Sequence, residues 1–255
     1  MNNKRTLKFC ILHFAFCILV LIPLLALAGI KDTKHNLSVS GPGTIKAVEE
    51  TQICIFCHTP HNASPAQPLW NHELSAVTNY INYHSDTLQS YGKDEPAPPI
   101  DGYSKLCLSC HDGTIALGSV TSRWEEILME ISACVDASGR LVEGPECGGY
   151  IGTNLSGGHP ISIIYDMTLV NKRNSIEPSL LCRLNPPPPR TSEVKVYPTQ
   201  GGYGVQCTSC HNPHINKATG GWPPLWRKDA DADHNAHDAV CMVCHEEDCG
   251  HAWQW

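Results

Sequence analysis

Cys54-Ile55-Phe56-Cys57-His58 is the stretch from which the rest of the chain is read. The same Cys-x-x-Cys-His spacing returns as Cys107-Leu108-Ser109-Cys110-His111, Cys207-Thr208-Ser209-Cys210-His211 and Cys241-Met242-Val243-Cys244-His245. It is the attachment signature of c-type haem. Two thiols a fixed short distance apart add across the two vinyl groups of the porphyrin, and the adjacent histidine supplies the proximal ligand to the iron. With 14 Cys and 14 His in 255 residues, chance gives roughly 0.04 such matches. Four matches therefore predict four covalently bound c-type haems. They are held by Cys54, Cys57, Cys107, Cys110, Cys207, Cys210, Cys241 and Cys244, with His58, His111, His211 and His245 as proximal ligands.

The N-terminus reads as an export address. Lys4, Arg5 and Lys8 precede an apolar run from Phe9 to Ala28 that ends in Ala26-Leu27-Ala28. Residues 1–28 are expected to be a secretory signal peptide cut before Gly29. The alternative is a retained anchor, since the run is long enough to span a bilayer. No second apolar run of spanning length follows, so no membrane span is expected after cleavage. Removing 1–28 takes three of the 18 basic residues and none of the 25 acidic ones, which leaves the rest more acidic than the full-length net charge of −7. That balance argues against a nucleic-acid partner, which requires a basic face. Residues 29–255 are expected to form a single tetrahaem domain. Long aliphatic periods are few, while Gly (20) and Pro (19) are plentiful. A protein-only core would be thin, and four haems would supply the apolar bodies around which short segments pack. The expected fold is mostly irregular, with short α-helices and minimal β-structure, wrapped around a chain of four stacked haems.

Distal ligands are sought among the remaining histidines. The first and third motifs continue as His58-Thr59-Pro60-His61 and His211-Asn212-Pro213-His214. A histidine three residues beyond the proximal ligand cannot fold onto the far face of its own haem, but it reaches a neighbouring one. His61 and His214 are therefore expected distal ligands. His159, in Gly157-Gly158-His159-Pro160, is a third; its glycines let backbone approach a haem face and Pro160 fixes the exit. His35 is the fourth. It sits on an N-terminal arm, residues 29–53, in which 44–53 is read as a short helix. His234 and His237 are alternatives. His72 and His84, in a loop-like stretch rich in Pro, Tyr and Asn, are read as surface residues, and Trp70 as cover for a haem edge. Two filled axial positions favour electron transfer over chemistry at the iron.

Trp124 to Ser132 reads as a helix, with Trp124, Ile127, Leu128 and Ile131 on one face. Outside the haem motifs, Cys134 and Cys147 bracket a glycine-rich loop and are a disulfide candidate. Cys182 and Cys249 form a weaker second pair. Pro186 to Pro189 reads as a stiff spacer and Val194 to Tyr197 as a short strand.

The runs Lys34-His35-Asn36-Leu37-Ser38, Cys54 to Ala63, Gly157-Gly158-His159-Pro160 and Cys207 to His214 resemble the multihaem c-type cytochromes with doubled haem motifs. Within these the chain is most similar to the tetrahaem OmcE-type cytochromes of metal-reducing bacteria, which polymerise into extracellular filaments. The resemblance covers most of residues 34–245, leaving 124–150 and 246–255 unmatched. It implies a continuous line of haems, an electron carrier rather than an enzyme, and a place outside the cell or at its surface. It also implies self-association in which His35 is donated to a haem of the adjacent subunit. The redox partners would be other cytochromes or extracellular electron acceptors. A monomeric periplasmic shuttle is the alternative. A haem redox enzyme acting on nitrite or hydroxylamine is the third reading, and it would need an open iron.

Overall fold

The computed structural model describes residues 29–64, 69–91, 95–176, 183–215, 225–228 and 236–246. The expected signal peptide, Cys182, Cys249, His234 and the side chain of His237 lie outside the described residues. Regular structure is sparse. After a 3-10 turn at Gly29–Asp32 come the helices α1 (Gly102–His111), α2 (Met167–Asn174), α3 (Cys207–Cys210) and α4 (Ala236–Cys241). The strands β1 (Ile163–Ile164), β2 (Tyr197–Thr199) and β3 (Gly202–Val205) form one antiparallel sheet in the order β1-β3-β2. Its register pairs Ile163 with Val205 and Tyr197 with Gly204. Gln200 and Gly201 both take positive φ (47° and 81°), which gives the two-residue turn the twist that a tight hairpin needs. The expected strand at 194–197 thus begins at its last residue and extends into the hairpin.

That hairpin positions two of the four motifs. Asp101, which precedes α1, accepts hydrogen bonds from Thr199 Oγ1 (2.7 Å), Gln200 N (2.9 Å) and Gln206 Nε2 (3.0 Å). Gln206 is 1% exposed. Its Oε1 accepts from Ser104 N at 2.8 Å, satisfying an orphan donor of α1. Cys207 N in turn donates to Ser104 Oγ at 3.0 Å. The first turns of α1 and α3 are therefore tied together, and with them the second and third motifs.

Three apolar clusters hold the rest. The first contains Ala47, Phe56, Leu117, Val120, Ile127, Met129, Val135 and Leu141, with Cys57 and Cys110 packed against it. The second surrounds Ile163, Tyr165, Val196 and Val205 and touches Cys244. The third joins Tyr80, Ile100, Leu108 and Leu155. Each cluster therefore carries a Cys-x-x-Cys-His segment or the helix that bears one.

Two expected helices are absent. Residues 44–53 and 124–132 contain no helix and meet in a bridge at Ala47 and Met129, with Val48 N donating to Leu128 O (2.9 Å) and Glu130 N to Lys46 O (2.8 Å). The pattern in the second segment is two-fold, not helical: Ile127 and Met129 are 7% and 8% exposed, while Leu128 is 73% and Trp124 fully exposed. The chosen helical face joined two residues that point in opposite directions. The arm at 29–53 is not detached either. Asn36 and Ser38 are fully buried, Ala47 N donates to Leu37 O at 2.8 Å, and Leu37 packs on the first cluster. Among the described residues no helix is long and apolar enough to cross a membrane.

Candidate functional site

Each Cys-x-x-Cys-His segment is wound as one helical turn. The histidine N–H donates to the carbonyl of the first cysteine in the first (2.8 Å), third (3.0 Å) and fourth (3.0 Å) motifs. In the second motif all five residues lie in α1. On a helix, positions i, i+3 and i+4 share a side, so both thiols and the imidazole face the same space.

The four turns follow one another through space in chain order. Cys57 and Cys110 share the first cluster. The Cys107 thiol is hydrogen-bonded to Cys207; that bond, then burial, raises it. Burial pushes Cys210 up to about 12, with Cys241 and Cys244 of the fourth motif adding to the rise. Cys57 and Cys110 are likewise pushed up to about 12, chiefly by burial.

The histidines are brought together in pairs, each joining a motif histidine to one from elsewhere. His58 faces His214 with ring centres 5.9 Å apart and planes at 18°. His111 faces His35 at 5.9 Å and 83°. His245 faces His159 at 6.3 Å and 79°. Two imidazoles bound through nitrogen on opposite sides of one metal, at roughly 2 Å each, have ring centres about 6 Å apart. All three pairs have that spacing. Each pair offers two donors, short of the four that a bare zinc site takes. Among the described residues no three His, Cys, Asp or Glu side chains converge as a bare-ion site.

Hydrogen bonding sorts ligand-type histidines from structural ones. His111 Nδ1 bonds to Gly149 O, and His159 Nδ1 bonds to Pro160 O at 2.8 Å. Both leave Nε2 free, the arrangement usual for a metal-bound imidazole. His72, read from sequence as a surface residue, is fully buried, and both its nitrogens are engaged. Nδ1 meets Glu73 O at 2.7 Å and Nε2 meets Ala116 O at 3.0 Å. No nitrogen of His72 remains for a metal. The Nδ1 atom of His35 is buried without a hydrogen-bond partner. Such an atom costs about 1–3 kcal/mol, and this ring packs against His111.

Electrostatics agree with the pairing. His35 is lowered to about 4 by burial, then by His111, His211 and His214. His245 is lowered to about 4 by burial, then by His159 and Arg173. Burial also lowers His159, although its surface is open. A group that is surrounded by protein and still open lines a cleft. His214 is lowered by burial and then by His58. All of these imidazoles are held as neutral bases with a lone pair to give.

His35 sits in its own chain against His111 rather than on a free arm. His61 is exposed, and its ring lies against none of the other described histidines. His211 stacks on Trp226 (4.6 Å, 22°), and Trp70 meets His58 edge-on at 6.5 Å. Exposed His84 lies edge-on to Tyr91 at 5.2 Å. Cys134 and Cys147 form a disulfide. The chain that leaves it brings Gly149 O to His111, and Ile151 N donates to His111 O at 2.7 Å. Sequence reasoning missed Asn185. Its Nδ2 donates to Met242 O and His245 O, both at 3.0 Å, which fixes the fourth motif. A lone Asn before a proline run gives no signal of this.

No family model matches the chain, and no curated protein matches it.

Proposed function

We propose that the chain is an electron-transfer tetrahaem c-type cytochrome with bis-histidine ligation, exported and assembled into an extracellular filament for long-range electron transfer. The observation that carries the reading is the set of three pairs that join a motif histidine to one from elsewhere, at 5.9, 5.9 and 6.3 Å. The eight motif cysteines would hold four haems, with His58, His111, His211 and His245 as proximal ligands. His214, His35 and His159 would complete the first, second and fourth haems. When bound, haem supplies reversible one-electron chemistry, and an iron with both axial positions filled passes electrons rather than reacting. The protein's part is to keep the imidazoles neutral, aim Nε2 through bonds at Nδ1, and hold the four turns in sequence. Partners in this reading are further copies of the chain, other cytochromes or extracellular acceptors.

The cross-subunit role passes from His35 to His61. His35 is occupied inside its own chain, whereas His61 is exposed and only its main-chain carbonyl is engaged, by Thr59 Oγ1 at 2.7 Å. An outward histidine next to the first motif is placed to reach a haem of an adjoining copy.

The test is expression in a host that matures c-type cytochromes, followed by haem counting, EPR and electron microscopy. Four haems, low-spin iron and filaments are expected, and His61→Ala shortens the filaments without loss of haem. Fewer than four haems sinks the tetrahaem reading. A monomeric product with four low-spin haems replaces the filament by a soluble shuttle. A high-spin iron that binds CO replaces the carrier by an enzyme. Filaments of normal length from His61→Ala remove that residue from the interface.

A further inference from the structure

The four motifs differ in the residue that follows the histidine: Thr59, Asp112, Asn212 and Glu246. Two of these are neutral. Glu246 is partly exposed and pairs with Arg183 at 3.3 Å. Asp112 differs from all three, being only 2% exposed.

Every hydrogen bond to its carboxylate comes from a neutral donor. Tyr80 Oη donates to Oδ2 at 2.7 Å, Thr114 N to Oδ1 at 2.8 Å and Thr114 Oγ1 to Oδ1 at 2.7 Å. Three donors converging on one carboxyl group favour its charged form. Among the described residues no Lys or Arg forms an ion pair with it. Ser75 extends the network, bonding both Tyr80 Oη (3.2 Å) and Thr114 Oγ1 (3.0 Å). The field of the charge reaches both neighbours in the motif. It opposes the lowering of His111 by burial, and it adds to the burial-driven rise of Cys110. A buried negative charge beside a metal centre favours the higher oxidation state, and low local dielectric keeps that influence strong.

We propose that Asp112 tunes the second haem to the lowest reduction potential of the four, placing an energetic step inside the line of haems. Asp112 is a positioning residue for charge and is not itself a ligand. The inference rests on the tetrahaem reading and adds to it an order among the haems. Electrons would fill the first, third and fourth haems before the second, and transfer past the second would be uphill and then downhill.

The experiment is a potentiometric titration of the mature four-haem protein and of Asp112→Asn, with haem content and the low-spin EPR spectrum measured on the same samples. The expected result is four haems in both and an upward move of the lowest midpoint in the variant. The other three midpoints should stay in place. Glu246→Gln, which removes a charge already paired with Arg183, should move no midpoint as far. His35→Met, a change of axial ligand, marks the second haem by raising its midpoint, and Asp112→Asn must act on that same haem. Four haems with an unmoved lowest midpoint overturn the inference and leave the tetrahaem reading intact. A wild-type protein without four haems overturns the reading itself. If Asp112→Asn fails to hold four haems, Asp112→Ala is titrated instead. Loss of the second haem from both variants makes the residue structural and ends the proposal.

Discussion

The second and fourth motifs contain the same five-residue device in opposite settings. The second ends a ten-residue helix, and its histidine is held by Gly149, two residues beyond the Cys134–Cys147 disulfide. Its facing histidine, His35, comes from more than 70 residues upstream and is deeply seated. The fourth follows a six-residue helix. It is held from two places, by Asn185 and by Tyr165 Oη, which donates to Cys244 O at 3.0 Å. Its facing histidine, His159, is open to solvent and bonds only to the next residue in the chain. The helical turn that gathers thiols and imidazole is local and identical. What surrounds it is non-local, and there the motifs acquire different characters.

The largest expected effect breaks the second setting. Replacing Cys134 and Cys147 together by Ser opens a loop of separation 13 and should cost about 3 kcal/mol. The loss should fall on the second motif, because the carbonyl that orients His111 belongs to Gly149, just beyond the freed Cys147. Denaturant unfolding gives the stability, and EPR of the haem-loaded protein shows which low-spin signal broadens. Equal disturbance of all four signals would show that the disulfide serves the whole chain and not the second motif.

Asn185→Ala is the corresponding break in the fourth setting. It removes donors to Met242 O and His245 O and should cost about 1–3 kcal/mol. The change should be confined to the fourth haem, detected as its partial loss on purification. Retention of four haems with unchanged unfolding would mean that Tyr165 and the backbone bonds of residues 183–185 fix this turn without the Asn185 side chain.

These contrasts mark what the sequence can disclose. The spacing of Cys54, Cys57 and His58 is a local geometric demand, so it can be read directly. The placement of His159 and His214 against motif histidines is also legible, through glycines in one case and motif repetition in the other. His72 was not, because a buried histidine bonded to two carbonyls looks in sequence like any polar loop residue. The segment 126–130 misleads for a different reason. Its apolar residues fit both a helical face and a two-fold alternation, and only pairing with 46–48 decides between them. Asp112 was passed over because burial, not identity, gives its charge its effect.

The smallest expected effect concerns the one respect in which the two settings agree. In the haem-free chain, His35 and His245 are both lowered from 6.5 to about 4, mainly by burial. Between those values the unfolded chain binds protons that the folded chain refuses, so stability rises with pH there. It is fully present above about 6.5 and is lost as pH falls through about 4. Allowing for partial solvent screening of rings that line clefts, each histidine contributes roughly 1 kcal/mol. Urea midpoints of chain made without haem maturation should therefore drop across this window, and His35→Phe should remove part of the drop. The haem-loaded protein should show no such slope, since a nitrogen committed to iron no longer competes for the proton. A slope of equal size in both forms would place the titration in other groups, and would separate the histidine pairs from the burial that lowers them.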